Sequence, residues 1–181
     1  MITDRDYSFL TVDEEEKVSR AKIYLEKFKK KGISLKALET YHKMLPNAYY
    51  HFSTLFPNHY LNTDTLKDIE SLNLLESEFK SLLGSGVGER EILNFINKGI
   101  NYNIIGSVFH TGYRFGHHQA FLFKEFELTS TFKADYLLIG RASGGYSFVF
   151  IELENPYGQI TLKNGEFGTT FRKGIKQVED W

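Results

Sequence analysis

Apolar positions recur with helical spacing up to about residue 100 and with strand-like alternation after it. Thr11 and Glu14 make a capping box ahead of EEEKVSRAKIYLEKFKKK (14–31), and Val18, Ala21, Tyr24, Leu25 and Phe28 share one face of the helix this predicts. Gly32 is its stop, and Ser34 caps a second helix running through Leu35, Leu38 and Tyr41. Pro46 punctuates the chain, and a short helix from Tyr49 to Leu55 ends before Pro57. Asn62 to Asp64 offer caps for a long helix reaching Leu83, with Leu66, Ile69, Leu72, Leu75 and Phe79 as its stripe. Gly84, Ser85, Gly86 and Gly88 read as a flexible joint and as the best candidate boundary in the chain. GEREILNFINKG (88–99) is then a short amphipathic helix stopped by Gly99.

Strand signals follow. FLFKEFEL (121–128) sets Phe121, Phe123, Phe126 and Leu128 around the polar Lys124 and Glu125. ADYLLIG (134–140) and SFVFIELE (147–154) flank RASGGY (141–146), a glycine-rich hairpin connection. A polar loop, NPYGQITLKNGEFGTT (155–170), leads to FRKGIKQVEDW (171–181), a helix with Phe171, Ile175 and Val178 on one face. The expectation is therefore a helical region over 1–87, followed over 88–181 by an α+β or α/β layer of helix, three strands and helix.

Composition changes this picture little. Apolar residues are 41% and charged residues 25%, ordinary for a globular protein. Aromatics reach 15%, with sixteen Phe and eleven Tyr, which suits strands and packed cores first and base stacking second. The net charge is −1, and neither half carries the basic excess of a DNA-coating protein, although a local basic groove remains compatible with it. Cysteine is absent, which excludes disulfides and thiolate metal sites. The acidic start MITDRDYSFLTVDEEE lacks the basic and apolar stretches of a signal peptide, and no segment has the ~20 apolar residues of a membrane span, so a cytoplasmic protein is the default reading.

Two carboxylates carry the candidate chemistry. Asp135 opens ADYLLIG and Glu152 lies late in SFVFIELE; a tight antiparallel hairpin brings both to the same end of the sheet. Each interrupts an apolar strand, and an unpaired buried carboxylate is expensive. A divalent cation between them would offset that cost. Phosphodiester hydrolysis uses such a pair, because the metal lowers the pKa of the attacking water and neutralises charge growing on the phosphate. Hard oxygen donors suit Mg²⁺, which keeps several waters beside one or two carboxylates. On spacing alone, the plainer reading is a pair of solvated strand-end carboxylates near a turn.

ADYLLIG, then VFIELE, then GIKQVEDW resembles the Shedu domain of anti-phage immune proteins, within the PD-(D/E)xK nuclease superfamily. In that pattern an Asp-aromatic strand precedes a strand ending Glu-x-Lys or Glu-x-Glu, and a helix carries a Gln. GEREILNFINKG is similar to the helix that opens the domain, and the likeness covers roughly half the chain. The resemblance implies a Mg²⁺- or Mn²⁺-dependent nuclease core acting on nucleic acid, DNA first, in anti-phage defence, and working as a homo-oligomer. It implies metal ligation by Asp135 and Glu152, with Glu89 as the acidic residue of the opening helix ahead of its neighbour Glu91. Gln177 becomes the helix-borne Gln that points toward the site. Glu154 departs from the pattern by occupying the place of the usual Lys. It could act as a third metal ligand, or Lys163, Lys173 or Lys176 could supply the charge from elsewhere, or it could mark weak or lost catalysis. The alternative function is thus an inactive nucleic-acid-binding or protein-interaction module on the same fold. The usual fold continues beyond the helix that bears Gln177, so the 88–181 core reads as a truncated form.

Other motifs have plainer readings. Adjacent strand residues His117 and His118 face opposite ways, which favours a surface loop over joint metal ligation; His110 lies in the same region. KFKKK (27–31) suits a helix C-terminus, GSGVG (84–88) lacks the Gly-Lys-Ser/Thr ending of a phosphate loop, and Tyr49 to Phe52 suit a core or an interface.

Overall fold

The computed structural model describes residues 2–63, 68–98, 101–111 and 118–181, and only the backbone of Lys31 and His110. Two compact units divide it, Thr3–Tyr60 and Leu61–Trp181, with Ile2 belonging to the second.

The first unit is helical. Helix α1 (Val12–Glu26) starts at the capping box: the Thr11 hydroxyl accepts from Glu14 N–H while the Glu14 carboxylate accepts from Thr11 N–H. The same carboxylate takes a two-pronged ion pair from Arg5, which holds its pKa down to about 2. A 3₁₀ turn at Lys29–Lys31 leads to Gly32, whose φ of 85° belongs to the left-handed region open to glycine. Helices α2 (Leu35–Met44) and α3 (Asn47–Phe52) follow; the Ser34 hydroxyl caps α2 as the sequence leads one to expect. Val18, Ala21 and Leu45 form the small core, with Leu10, Tyr41, Met44 and Tyr49 packed on it. Helix α3 ends at Phe52, short of the expected Leu55, and Pro57–His59 forms a separate 3₁₀ turn.

The second unit is α+β. Helix α4 (Ile69–Gly84) begins later than Asn62–Asp64, because Asp68 takes the cap and accepts from Ser71 N–H and Oγ–H. Asp64 and Leu66 of the expected helix, Gly99 and His117 lie outside the described residues. The glycine-rich segment ends α4 and connects it to α5 (Glu89–Lys98), so it lies inside a compact unit; the break between units comes at Tyr60 and Leu61. Two short helices that alternation did not suggest, α6 (Asn103–Gly106) and α7 (Val108–Thr111), bury Tyr102, Ile105 and Phe109.

Strands β1 (Gln119–Glu127), β2 (Lys133–Ala142) and β3 (Gly145–Ile151) form an antiparallel sheet in that order. The β2–β3 hairpin closes on Ser143 and Gly144, with Ala142 opposite Gly145. On one face Ala120, Leu122, Tyr136 and Leu138 join Ile92 and Ile96 of α5 and the two short helices in the main core. The Tyr136 hydroxyl donates to Asn97 Oδ1 at 3.1 Å, tying α5 to the middle strand. The sheet's other face carries Phe121, Leu137 and Phe150, with Asp135 at its end. The last helix, α8 (Thr169–Asp180), follows a loop pinned by the Thr161–Phe167 bridge and by Gly168 N–H on Ile160 O. Among the described residues no helix is long and apolar enough to cross a membrane.

Candidate functional site

The β2–β3 register pairs Tyr136 with Ile151 and Leu137 with Phe150, and one more step along it sets Asp135 against Glu152. Strand β3 ends at Ile151, so Glu152 and Glu154 lie just past it and not within it as SFVFIELE suggests. Alternation still holds there. Ile151 and Leu153 pack on the main core, which directs Glu152 and Glu154 to the opposite face with Asp135. The two carboxylates are tied reciprocally. Leu153 N–H donates to Asp135 Oδ2 at 2.8 Å, and Asp135 N–H reaches Glu152 Oε2 at 3.4 Å.

Helix α8 closes over them. Gln177 donates from its side-chain amide to Glu152 Oε1. Gly174 eases the approach: a Cβ there would stand 3.0 Å from Glu154 Cγ, close enough that the Glu154 side chain would have to give by a few tenths of an ångström. Trp181 meets Phe150 edge-on at 6.2 Å between ring centres. Between helix and strand end lies a cavity of about 380 Å³, with Glu152 and Glu154 on one side and Phe171, Ile175 and Val178 on the other. The apolar face expected of this helix therefore lines the cavity, and Val178 remains 50% exposed.

Electrostatics marks the same spot. Burial pushes the Glu152 carboxyl up to about 7, with the Asp135 charge adding to the rise and hydrogen bonds from Asp135 N–H and Gln177 opposing it. Burial also raises Asp135, against the Leu153 N–H that lowers it. Glu89, in the first turn of α5, is raised by burial and then by the charges of Asp135 and Glu154. The structure thus gathers Asp135, Glu152, Glu154 and Gln177 at one end of the sheet and brings Glu89 within reach of their field.

The donor set fits a hard divalent cation in part. Asp135 and Glu152 are half-buried oxygen donors side by side, the number of carboxylates Mg²⁺ accepts while keeping its waters. Among the described residues no group of three or more His, Asp or Glu side chains stands ready to hold a metal ion. Asp135 Oδ2 and both Glu152 oxygens already accept protein N–H groups, which leaves Asp135 Oδ1 as the one carboxylate oxygen of the pair with no such bond among the described residues.

Two residues at this site carry little sequence signal. Glu125 looks like an ordinary polar position in FLFKEFEL, yet the flanking pairs Lys124–Tyr136 and Phe126–Ala134 bracket it against Asp135, its charge raises the Asp135 pKa, and its φ is +49°. Non-glycine residues in that region are uncommon and cluster at functional sites. Gly174 reads as one more small residue in a helix until its contact with Glu154 is seen. Elsewhere, the His118 ring stands 3.2 Å from Ser143 Oγ on an exposed surface, Lys29 pairs with Glu26 in the first unit, and Lys163 lies in the loop before α8.

The fold and site define an α+β protein whose sheet ends in a helix-covered carboxylate pair. No family model matches the chain, and no curated protein or solved structure matches it.

Proposed function

We propose that this protein is a divalent-metal-dependent nuclease that hydrolyses phosphodiester bonds of DNA, in the manner of the PD-(D/E)xK enzymes that its sequence resembles. The observation that carries the reading is the Asp135–Glu152 pair, half-buried and cross-tied at the end of the sheet under Gln177. Isolated carboxylates do not ionise readily there, and a cation held between them supplies the missing charge. Bound Mg²⁺ or Mn²⁺ would activate water and neutralise charge on the phosphate. The chain's own residues then have separate tasks. Leu153 N–H orients Asp135, Gln177 orients Glu152, and Gly174 leaves room for Glu154 beside the helix. The proposal extends, on the Shedu resemblance of the sequence, to a role in anti-phage defence and a homo-oligomeric working form.

Plasmid nicking with Mg²⁺ or Mn²⁺ tests the reading. Wild-type protein is expected to nick, while Asp135→Ala and Glu152→Ala lower the rate at least about 100-fold. Undiminished nicking by either variant would overturn the assignment.

One observation favours a second reading. Glu154 occupies the position of the usual Lys and sits against α8, where its negative charge opposes a developing anion. On this reading the fold is kept as an inactive nucleic-acid-binding or interaction module. Calorimetry separates the two: the nuclease binds Mn²⁺ through both carboxylates, and the inactive module does not.

A further inference from the structure

The opposite flank of α8 holds a basic groove. It is an open groove of about 580 Å³, lined by Lys133, Lys173, Lys176, Gln177, Phe132 and Trp181 among others. Lys173, Lys176, Gln177 and Asp180 follow at the helical spacings of three, four and seven residues, so they form one face of α8. Lys133 faces them from the first position of β2, two residues before Asp135 and on the same side of that strand. Three lysines line it with Asp180, while Glu127 stands across the β1–β2 register from Lys133, in a chain whose net charge is −1. The indole N–H of Trp181 is shielded from solvent and has no hydrogen-bond partner among the described residues.

Gln177 belongs to both sides of the helix. Its amide donates to Glu152, and its side chain also borders the lysine groove. A chain of phosphates passing the carboxylate pair would therefore meet the lysines next. We infer that Lys133, Lys173 and Lys176 form a seat for the backbone phosphates of a nucleic-acid strand, with Phe132 and Trp181 as the apolar walls against which unpaired bases pack. The inference rests on the phosphodiester reading of the carboxylate pair. It adds that the strand leaves the site across α8 on the lysine side. An acidic peptide would satisfy the ammonium groups equally. The aromatic walls and the shared Gln177 favour the nucleic acid.

The test is fluorescence anisotropy of the full chain with a short labelled oligothymidylate, in chelator so that no turnover occurs. Each lysine that neutralises a phosphate adds about 0.7 to the slope of log affinity against log salt concentration for a single strand. The triple variant Lys133→Gln, Lys173→Gln, Lys176→Gln is expected to bind more weakly, with a slope shallower by about 2. All three side chains are exposed, so the fold should survive, and circular dichroism checks this. Should the triple variant unfold, Lys173→Gln alone is expected to lower the slope by about 0.7. An unchanged slope, or a wild-type chain that does not bind the oligonucleotide at low salt, overturns the inference. Polyglutamate displacing the oligonucleotide at equal charge concentration overturns it in favour of an acidic peptide. Lysine-dependent binding without any nicking supports this seat while removing the hydrolytic reading; nicking with lysine-independent binding does the reverse.

Discussion

Glu152 concentrates the electrostatics of the site. Its carboxyl titrates at about 7 in the folded chain and near 4.5 without the fold. The folded state holds the proton more tightly, so the stability this group contributes is complete below about 4.5 and is lost as pH rises through 7. Asp135 and Glu89 are raised as well and act with the same sign. In divalent-free buffer the melting temperature of the Leu61–Trp181 unit is expected to fall between pH 5 and pH 8, while His51 in the other unit, lowered by burial, acts with the opposite sign there. Glu152→Gln should flatten that fall, and Mn²⁺ should raise the melting temperature more at pH 8 than at pH 5 if the pair binds it. A pH-independent transition of the Leu61–Trp181 unit in the wild type would contradict the buried, crowded carboxylates. Glu125 makes a second residue-level case. Its backbone sits at φ +49°, bracketed against Asp135, and Glu125→Gly removes both that conformational cost and a like charge. Urea unfolding of Glu125→Gly should show a gain of about 1 kcal/mol. A loss would mean that the Glu125 side chain makes a stabilising contact outweighing both.

Element α8 is set by its entry as much as by its apolar face. Gly168 precedes the helix, its N–H bonds Ile160 O at 2.9 Å, and a Cβ there would fall 1.6 Å from the Gln159 carbonyl oxygen. Gly168→Ala therefore has to open the loop or move the helix, at a cost of about 3 kcal/mol by chemical denaturation. Because Gln177 and Gly174 reach the carboxylates only from a docked α8, nicking is expected to fall with it. Unaltered stability and activity would show that the loop relaxes without shifting the helix. The capping box at Thr11, the cap at Ser34 and the hairpin around Ser143 and Gly144 were legible because local chemistry decides them. Helices α6 and α7 were not. They are four residues each, too short for a periodic stripe, and they persist through the burial of Tyr102, Ile105 and Phe109.

Across the whole molecule the division into units follows packing and not flexibility. The Gly84–Gly88 segment has the composition of a linker, yet α4 belongs with the sheet: Phe79 stacks on Phe95 at 5.9 Å, and the Tyr157 hydroxyl donates to Leu83 O at 2.5 Å. Ile2 is 7% exposed within the core of the Leu61–Trp181 unit, far along the chain from every other member of it. Ile2→Ala is expected to destabilise that unit by about 2 kcal/mol, the low end for a buried Ile truncated to Ala. Hydrogen exchange at the β1–β2 amides would report it. Exchange unchanged there would place Ile2 outside the cooperative core.

The sequence by itself determined the caps of α1 and α2, the order of the three strands, the hairpin that aligns Asp135 with Glu152, and the helix that carries Gln177, because each depends on neighbours within a few residues. The tertiary structure alone decided the rest. Lys133 and Lys176 share a groove, Gly174 lies against Glu154, Glu125 stands beside Asp135, and the units part at Tyr60. Those pairings depend on how separate elements pack, and packing is specified by shape and burial summed over many residues, which no local spacing records.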